Sequence, residues 1–299
     1  MNTDYDVSLS QKIVLGTVQF GLSYGIANSR GQPDVGLVRE ILDRAYSAGI
    51  RILDTAAAYG QSEAVLGACS TDRWEIITKI PSLAECDDAR VGQLARESVM
   101  RSLELLRTNK LHAVLVHDVR DLTGARGRKI REALRGLLAE GLIGKLGASV
   151  YDPADLYGLE ESGIVQAPFN VLDQRMGTDV TRAELCRLGA DLHVRSVFLQ
   201  GLLLMKTAAR PSRFAQWAPV LTRLDEQITR SGVSAAAFCL GFVAQHISVS
   251  RVVVGVDCVE QLEDLVSALA IGQETVIEAR DLAFDDPELI DPRKWKNNP

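Results

Sequence analysis

Short apolar runs and amphipathic stretches alternate along this chain almost without a break. The apolar, β-branched runs fall at 12–15, 51–54, 74–79, 111–116, 145–149, 164–167, 192–196 and 251–254. Between them lie stretches whose apolar residues recur every three or four positions, at 34–48, 61–69, 87–106, 128–140, 153–162, 179–188, 213–230, 234–245 and 259–269. In 34–48, Val38, Ile41, Leu42 and Ala45 share one helical face, Asp34 stands near the start and Gly49 ends it. Ser62 is read as the N-cap of 61–69 and Asp152 as the cap of 153–162. Strands that are apolar throughout, each followed by a helix, predict a parallel sheet covered on both faces.

The count selects the architecture. Eight strand–helix units in 299 residues fit a closed (β/α)8 TIM barrel of the α/β class better than an open doubly wound sheet. The open sheet would also place Gly-x-Gly-x-x-Gly after its first strand, and Gly16 and Gly21 do not match that spacing. No Pro-, Gly- or Ser-rich linker divides the chain, so a single domain over 1–299 is expected. A polar N-terminal tail occupies about 1–10; the segment 281–299 is expected to be irregular, draped on the body or partly disordered.

Composition removes several classes of function. A net charge of -6 with no cluster of Lys and Arg argues against a nucleic-acid surface. The start, MNTDYD, is polar and acidic, unlike a signal peptide, and no apolar stretch is long enough to span a bilayer. The five cysteines lack paired or metal-ligand spacing, which predicts reduced thiols, a cytoplasmic protein and no metal site.

In a barrel of this kind the chemistry collects at the C-terminal ends of the strands. Those ends carry Asp54, Lys79, His117, Ser149, Gln166, Arg195 and Ser196, a polar ring that packing alone does not require. Tyr59 stands in the loop after Asp54. A lysine ammonium beside a phenol stabilises the phenolate, and a carboxylate holds the ammonium in turn. Asp54, Lys79 and Tyr59 therefore form a proton relay to a developing alkoxide, and His117 can orient or polarise a carbonyl oxygen. The chemistry this suits is carbonyl reduction or its reverse, with hydride from a nicotinamide.

These residues also carry a family likeness. Leu15-Gly16-Thr17 with Phe20-Gly21, Leu53-Asp54-Thr55-Ala56 with Tyr59-Gly60-Gln61-Ser62-Glu63, Thr78-Lys79 and Leu115-Val116-His117 together resemble the aldo-keto reductases. The resemblance runs through most of the chain. It implies a (β/α)8 barrel that moves hydride between a nicotinamide cofactor and a carbonyl or alcohol. It also implies Tyr59 as general acid, Lys79 and Asp54 tuning it, and His117 orienting the substrate oxygen. The phrases HVRSVFLQGLLLM, GVD and PFNVLDQR are similar to a bacterial branch found beside sugar and polysaccharide pathways.

The cofactor half matches less completely. The resemblance implies Gly16, Thr17, Ser149, Gln166, Arg195, Ser196, Gly255, Asp257 and Gln261 as cofactor contacts. Where relatives carry Asn after the strand-five serine this chain has Val150, and Arg195 replaces the tyrosine that stacks on the nicotinamide. Valine supplies neither donor nor acceptor, and a cation against oxidised nicotinamide is repelled. Arg195 is alternatively a ligand for a substrate carboxylate or phosphate. After strand eight come Asp257, Glu260, Gln261, Glu263 and Asp264, with no basic residue for a 2′-phosphate. NAD is therefore favoured over NADP.

The expected partner is a small molecule, polar or sugar-like, with no nucleic acid and no membrane; oligomeric state is not readable. Phe20, Tyr24, Phe169 and Arg175, with Trp74 and Trp217, are the expected substrate contacts. A second reading keeps the same residues for non-redox work, as a lyase, epimerase or isomerase on a sugar or sugar-nucleotide, and is motivated by Val150 and Arg195. A third is a non-catalytic binding subunit, which the complete set of catalytic residue types disfavours.

Overall fold

The computed structural model describes residues 7–160 and 162–295. The outermost parts of both predicted tails, 1–6 and 296–299, lie outside the described residues. Eight parallel strands close into one barrel in sequence order: β1 (Ile13–Gly16), β2 (Ile52–Asp54), β3 (Glu75–Ile80), β4 (Leu111–Val116), β5 (Ile143–Ser149), β6 (Ile164–Pro168), β7 (Asp191–Arg195) and β8 (Val249–Gly255). Closure is made by β1 against β8, with Gly16 opposite Gly255. The eight predicted strands are the eight observed, with ends shifted by a residue or two.

The helices follow the predicted faces. α1 (Val35–Ser47) buries Val38, Ile41, Leu42 and Ala45, and Asp34 caps it by accepting from the Leu37 amide at 2.9 Å. α2 (Ser62–Ala68), α3 (Val91–Leu106), α4 (Gly124–Ala139), α5 (Asp179–Leu188), α6 (Ala218–Ser231), α7 (Ala235–Ala244) and α8 (Val259–Glu274) complete the described helices of eight residues or more, together with the shorter α2. One large apolar core lies between sheet and helices. A second, smaller core fills the barrel itself, with Val14, Ile52, Ile77, Ala113, Leu115 and Ile164 packed together.

Two local expectations are corrected. The helix expected over 153–162 is a 3-10 turn, Pro153–Gly158; Asp152 caps it through a capping box with Asp155, but the chain leaves helical geometry at Leu159. Ser62 is the first helical residue rather than the cap; its hydroxyl turns inward and donates to the Thr17 carbonyl at 2.9 Å. The C-terminal segment is packed up to Trp295, with Leu282, Leu289 and Ile290 buried and Trp295 edge-on to Phe214 at 4.9 Å between centroids.

Candidate active site

Period two along the strands aims Asp54 of β2, Lys79 of β3 and Gln166 of β6 into the barrel, at or within two residues of the strand ends. Lys79 Nζ donates to Asp54 Oδ2 at 2.6 Å and to the Thr55 carbonyl at 3.0 Å. Its third contact is Tyr59 Oη, at 3.4 Å. The other Asp54 oxygen accepts from Gln166 Nε2 at 2.7 Å. Lys79 is 1% exposed. Burial works to lower its pKa, but the Asp54 and Tyr59 charges and hydrogen bonds outweigh it and hold the ammonium above its ordinary value.

Tyr59 sits on a loop that the neighbouring backbone fixes. A Cβ added at Gly21 would stand 1.8 Å from the Tyr59 carbonyl oxygen, so only glycine lets the segment after β1 approach the Tyr59 turn this closely. Gly60, next to Tyr59, has φ +58°. A buried hydroxyl cluster ties the strand ends to α2: Thr55 Oγ1 donates to Ser62 Oγ at 3.0 Å, and Thr17 Oγ1 donates to the Asp54 carbonyl at 3.0 Å. His117, just past the end of β4, meets Tyr59 edge-on, with centroids 5.9 Å apart. Burial first, then the Lys79 and Arg195 charges, push His117 down to about 4, so it is neutral at pH 7 and able to donate an N–H.

These residues open onto a cavity of about 570 Å³, a volume typical of small-molecule and cofactor sites. Asp54, Tyr59, His117 and Gln166 line one end; Asp257, Gln261 and Asp264 line the other. Of the expected cofactor contacts, Gly16, Thr17, Gln166, Arg195, Ser196, Gly255, Asp257 and Gln261 are in its walls. Ser149 is not: it is buried at the end of β5, inside the barrel. Tyr24 lines the cavity and receives a hydrogen bond from Gln200 Nε2 at 3.3 Å.

The other expected substrate contacts are corrected. Phe20 is wholly buried on a one-turn helix packed into the core. Phe169 stacks on Phe242 with centroids 5.3 Å apart, and Arg175 is held by Asp173 at 2.8 Å. Trp74 packs edge-on against Tyr46, and Trp217 donates to Asp286 at 2.8 Å. In their place the fold brings Asn28, Tyr151, Gln200 and Arg293 to the cavity. It also brings Arg30 within electrostatic reach of Asp257. His193, aimed inward one layer below Arg195, is a further residue not singled out in the sequence; its Nδ1 is buried without a partner among the described residues.

Two orphaned atoms bear on whether a nicotinamide dinucleotide fits. Gln166 commits its amide nitrogen to the Asp54 carboxylate, which fixes its orientation and leaves Oε1 as a buried acceptor without a partner among the described residues. Gln19 Oε1 is likewise buried and has no partner among the described residues, and a Cβ on Gly255 would lie 2.3 Å from it. A carboxamide N–H is the kind of donor the Gln166 oxygen lacks. The loop after β7 covers the cavity in an unusual conformation, with Ser196, Leu199 and Gln200 all at positive φ. Among the described residues no group of three His, Cys, Asp or Glu side chains is placed to hold a metal ion, and no helix is long and apolar enough to cross a membrane.

Fold and site together define a (β/α)8 barrel with a buried Asp54–Lys79 ion pair beside the half-buried Tyr59 phenol at its C-terminal rim. The aldo/keto reductase family model matches residues 12–279, and the chain belongs to that family. Over 155 residues it is 28% identical to a Saccharomyces cerevisiae protein named D-arabinose 1-dehydrogenase; the match covers 49% of this chain and 45% of the relative, so the chain spans about half the length of the curated relative it matches. Among solved structures, an aldo-keto reductase from Bacillus halodurans in its holo form superposes with a TM-score of 0.70 at 19% identity, covering 95% of this chain and 94% of that one. A Pseudomonas aeruginosa chain described as an aldo-keto reductase gives 0.65 at 23% identity, covering 88% and 90%. These two likenesses carry the fold.

Proposed function

We propose that the protein is a nicotinamide-dependent oxidoreductase that reduces a carbonyl group, or oxidises the corresponding alcohol, on a small polar or sugar-like substrate. The observation that carries this reading is the Tyr59 hydroxyl, 3.4 Å from a buried ammonium that Asp54 fixes at 2.6 Å, at the wall of a cavity. Tyr59 gives its proton to the developing alkoxide, and the Lys79 ammonium offsets the charge left on the phenolate. His117, neutral, donates an N–H to the substrate oxygen and aligns it with the phenol. Asp54 keeps Lys79 charged and in place; it acts through Lys79 rather than on the substrate.

Gln166 Oε1, Gly16, Gln19 and Gly255 would hold the nicotinamide half of the cofactor, and the start of α8 with Asp257 and Gln261 the adenosine half. When bound, the nicotinamide supplies or accepts the hydride. NAD is the expected form, because the Asp257 carboxylate in the cavity wall would repel a 2′-phosphate bound beside it. The sugar dehydrogenase among the relatives supports a sugar-like substrate.

The non-redox reading rests on Val150, fully buried and without a polar group, and on Arg195. The orphaned Gln166 oxygen favours the redox reading over it. The test is direct: titrate the protein with NADH and NADPH by fluorescence, then follow nicotinamide absorbance with a panel of aldehydes and aldoses. Binding, turnover and a roughly 10²–10⁴-fold loss of kcat in Tyr59→Phe are expected. Product formation by enzyme stripped of nicotinamide would decide for the lyase, epimerase or isomerase alternative.

A further inference from the structure

The end of the cavity nearest Tyr59 carries more positive charge than proton transfer uses. Tyr151, in the loop after β5, has two guanidinium groups over its ring: Arg195 Cζ at 4.0 Å from the centroid and Arg293 Cζ at 3.2 Å. Arg195 comes from the end of β7 and Arg293 from the C-terminal segment, and all three side chains line the cavity with Tyr59 and His117. The segment that delivers Arg293 is pinned: Leu289 and Ile290 are buried, and Trp295 Nε1 donates to the Leu289 carbonyl at 3.0 Å.

The charges here do not cancel. Lys79 is paired with Asp54 at 2.6 Å, and Arg293 with Asp291 through Nε at 2.9 Å and Nη2 at 2.6 Å. His117 is neutral at pH 7. Arg195 has only neutral partners, the Ser196 hydroxyl at 3.4 Å and the Val150 carbonyl at 3.2 Å, both long, and no carboxylate pairs with it among the described residues. A guanidinium stacked on an aromatic ring keeps its edge N–H groups for a planar or tetrahedral anion. Its charge is felt across the site, since it is one of the causes that keep His117 neutral and Asp291 ionised.

We propose that Arg195, fixed on Tyr151 and backed by Arg293, binds a carboxylate or phosphate of the substrate, so that the preferred substrate is an anionic carbonyl compound or alcohol rather than a neutral sugar. This deepens the redox reading of the same site and rests on it. Arg195 orients the substrate and sets specificity; it takes no part in proton transfer. Its charge also meets a negative group where neither Asp54 nor Asp291 is free to repel it, because each is already paired.

The test compares matched aldehydes: succinic semialdehyde against butanal for a carboxylate, and glyceraldehyde 3-phosphate against glyceraldehyde for a phosphate. At least one anionic member is expected to have a kcat/KM ten-fold or more above its neutral match, with the preferred pair naming the anion. Arg195→Gln should shrink that ratio about ten-fold and Arg293→Gln about three-fold, chiefly through KM, while Arg195→Lys restores part of it; melting temperatures report whether the variants fold. Ratios near one in the wild type overturn the proposal. So does a fall in both members of a pair together with weaker NADH and NADPH binding, which would give Arg195 to the cofactor. Calorimetry with succinate and inorganic phosphate reads the subsite without turnover. Binding that is lost in Arg195→Gln keeps the subsite even if no carbonyl is reduced and the redox reading falls; no binding of either ion and no anionic preference removes the subsite and leaves the redox reading standing.

Discussion

Lys79 and Asp54 form a 2.6 Å ion pair whose side chains are 1% and 4% exposed, inside a barrel that also holds an aliphatic cluster of Val14, Ile52, Ile77, Ala113, Leu115 and Ile164. Such a pair is poor evidence for stability, since its desolvation cost rivals its attraction. Its place is explained by what it presents to Tyr59. Removing one partner should therefore do two separable things. Lys79→Met leaves a buried carboxylate unpaired and is expected to cost about 3–5 kcal/mol in denaturant melts. Adding Asp54→Asn to it should return most of that stability and none of the activity. A double-mutant cycle run on both readouts checks this.

The approach of Gly21 to the Tyr59 turn gives a sharper structural prediction. A methyl at residue 21 would meet the Tyr59 carbonyl oxygen at 1.8 Å and the Ser62 amide at 2.5 Å, both backbone atoms that cannot swing aside. Gly21→Ala should displace the turn, with a loss of about 1–3 kcal/mol typical of overpacking. Because Tyr59 rides on that turn, kcat should fall more than stability alone explains, at least ten-fold in enzyme that is still folded. Melting temperature and kcat measured on the same preparation separate the two effects.

Two histidines set a pH dependence. Burial first, then the Lys79 and Arg195 charges, lowers His117 to about 4; burial is also the main cause that lowers His193 to about 4, against an opposing Asp54 charge. The unfolded chain takes up these protons near the ordinary value of 6.5, so between about 6.5 and 4 it binds more protons than the native state. Stability is then greatest above 6.5 and is lost as pH falls toward 4, by an amount on the order of a few kcal/mol for the two together at about 1.4 kcal/mol per unit. Denaturant midpoints measured from pH 7.5 to 4.5 should fall across this window, and His193→Gln should flatten part of the slope.

The barrel and the meeting of Asp54, Lys79 and Tyr59 at its rim were legible because they rest on local pattern. Short runs that are apolar throughout, alternating with amphipathic stretches, mark a parallel sheet covered by helices, and a polar residue closing an apolar run marks a rim position, which is how Asp54, Lys79, His117, Gln166 and Arg195 could be read. His193 was within reach of the same rule, since it lies two residues before Arg195 and so shares its face. Arg293 was not, because nothing in the sequence of the last segment says that its buried Leu289 and Ile290 will carry the arginine back to Tyr151. Phe20, Phe169 and Arg175 misled for a related reason. Nearness to a motif in sequence says little about direction, and the core at Phe20, Phe242 and Asp173 claims those side chains first.

The proposed preference for NAD is tested at the Asp257 end of the cavity. Asp257 is 8% exposed, and burial, opposed by Gln261 and by the Arg30 charge, raises its pKa above the usual carboxylate value. The loop after β1 approaches it, with Asn28 Nδ2 at 3.4 Å from Asp257 Oδ1. A carboxylate about 4 Å from a 2′-phosphate costs about 1 kcal/mol or more even in a high dielectric. Asp257→Ser should therefore raise the ratio of kcat/KM with NADPH to that with NADH roughly five-fold or more. Arg30 supplies the basic charge absent from the segment after β8, so Arg30→Ala should move the same ratio the opposite way. Parallel assays with the two cofactors on one aldehyde measure both shifts. If Asp257→Ser leaves the ratio where it was, the adenosine ribose does not lie against this carboxylate.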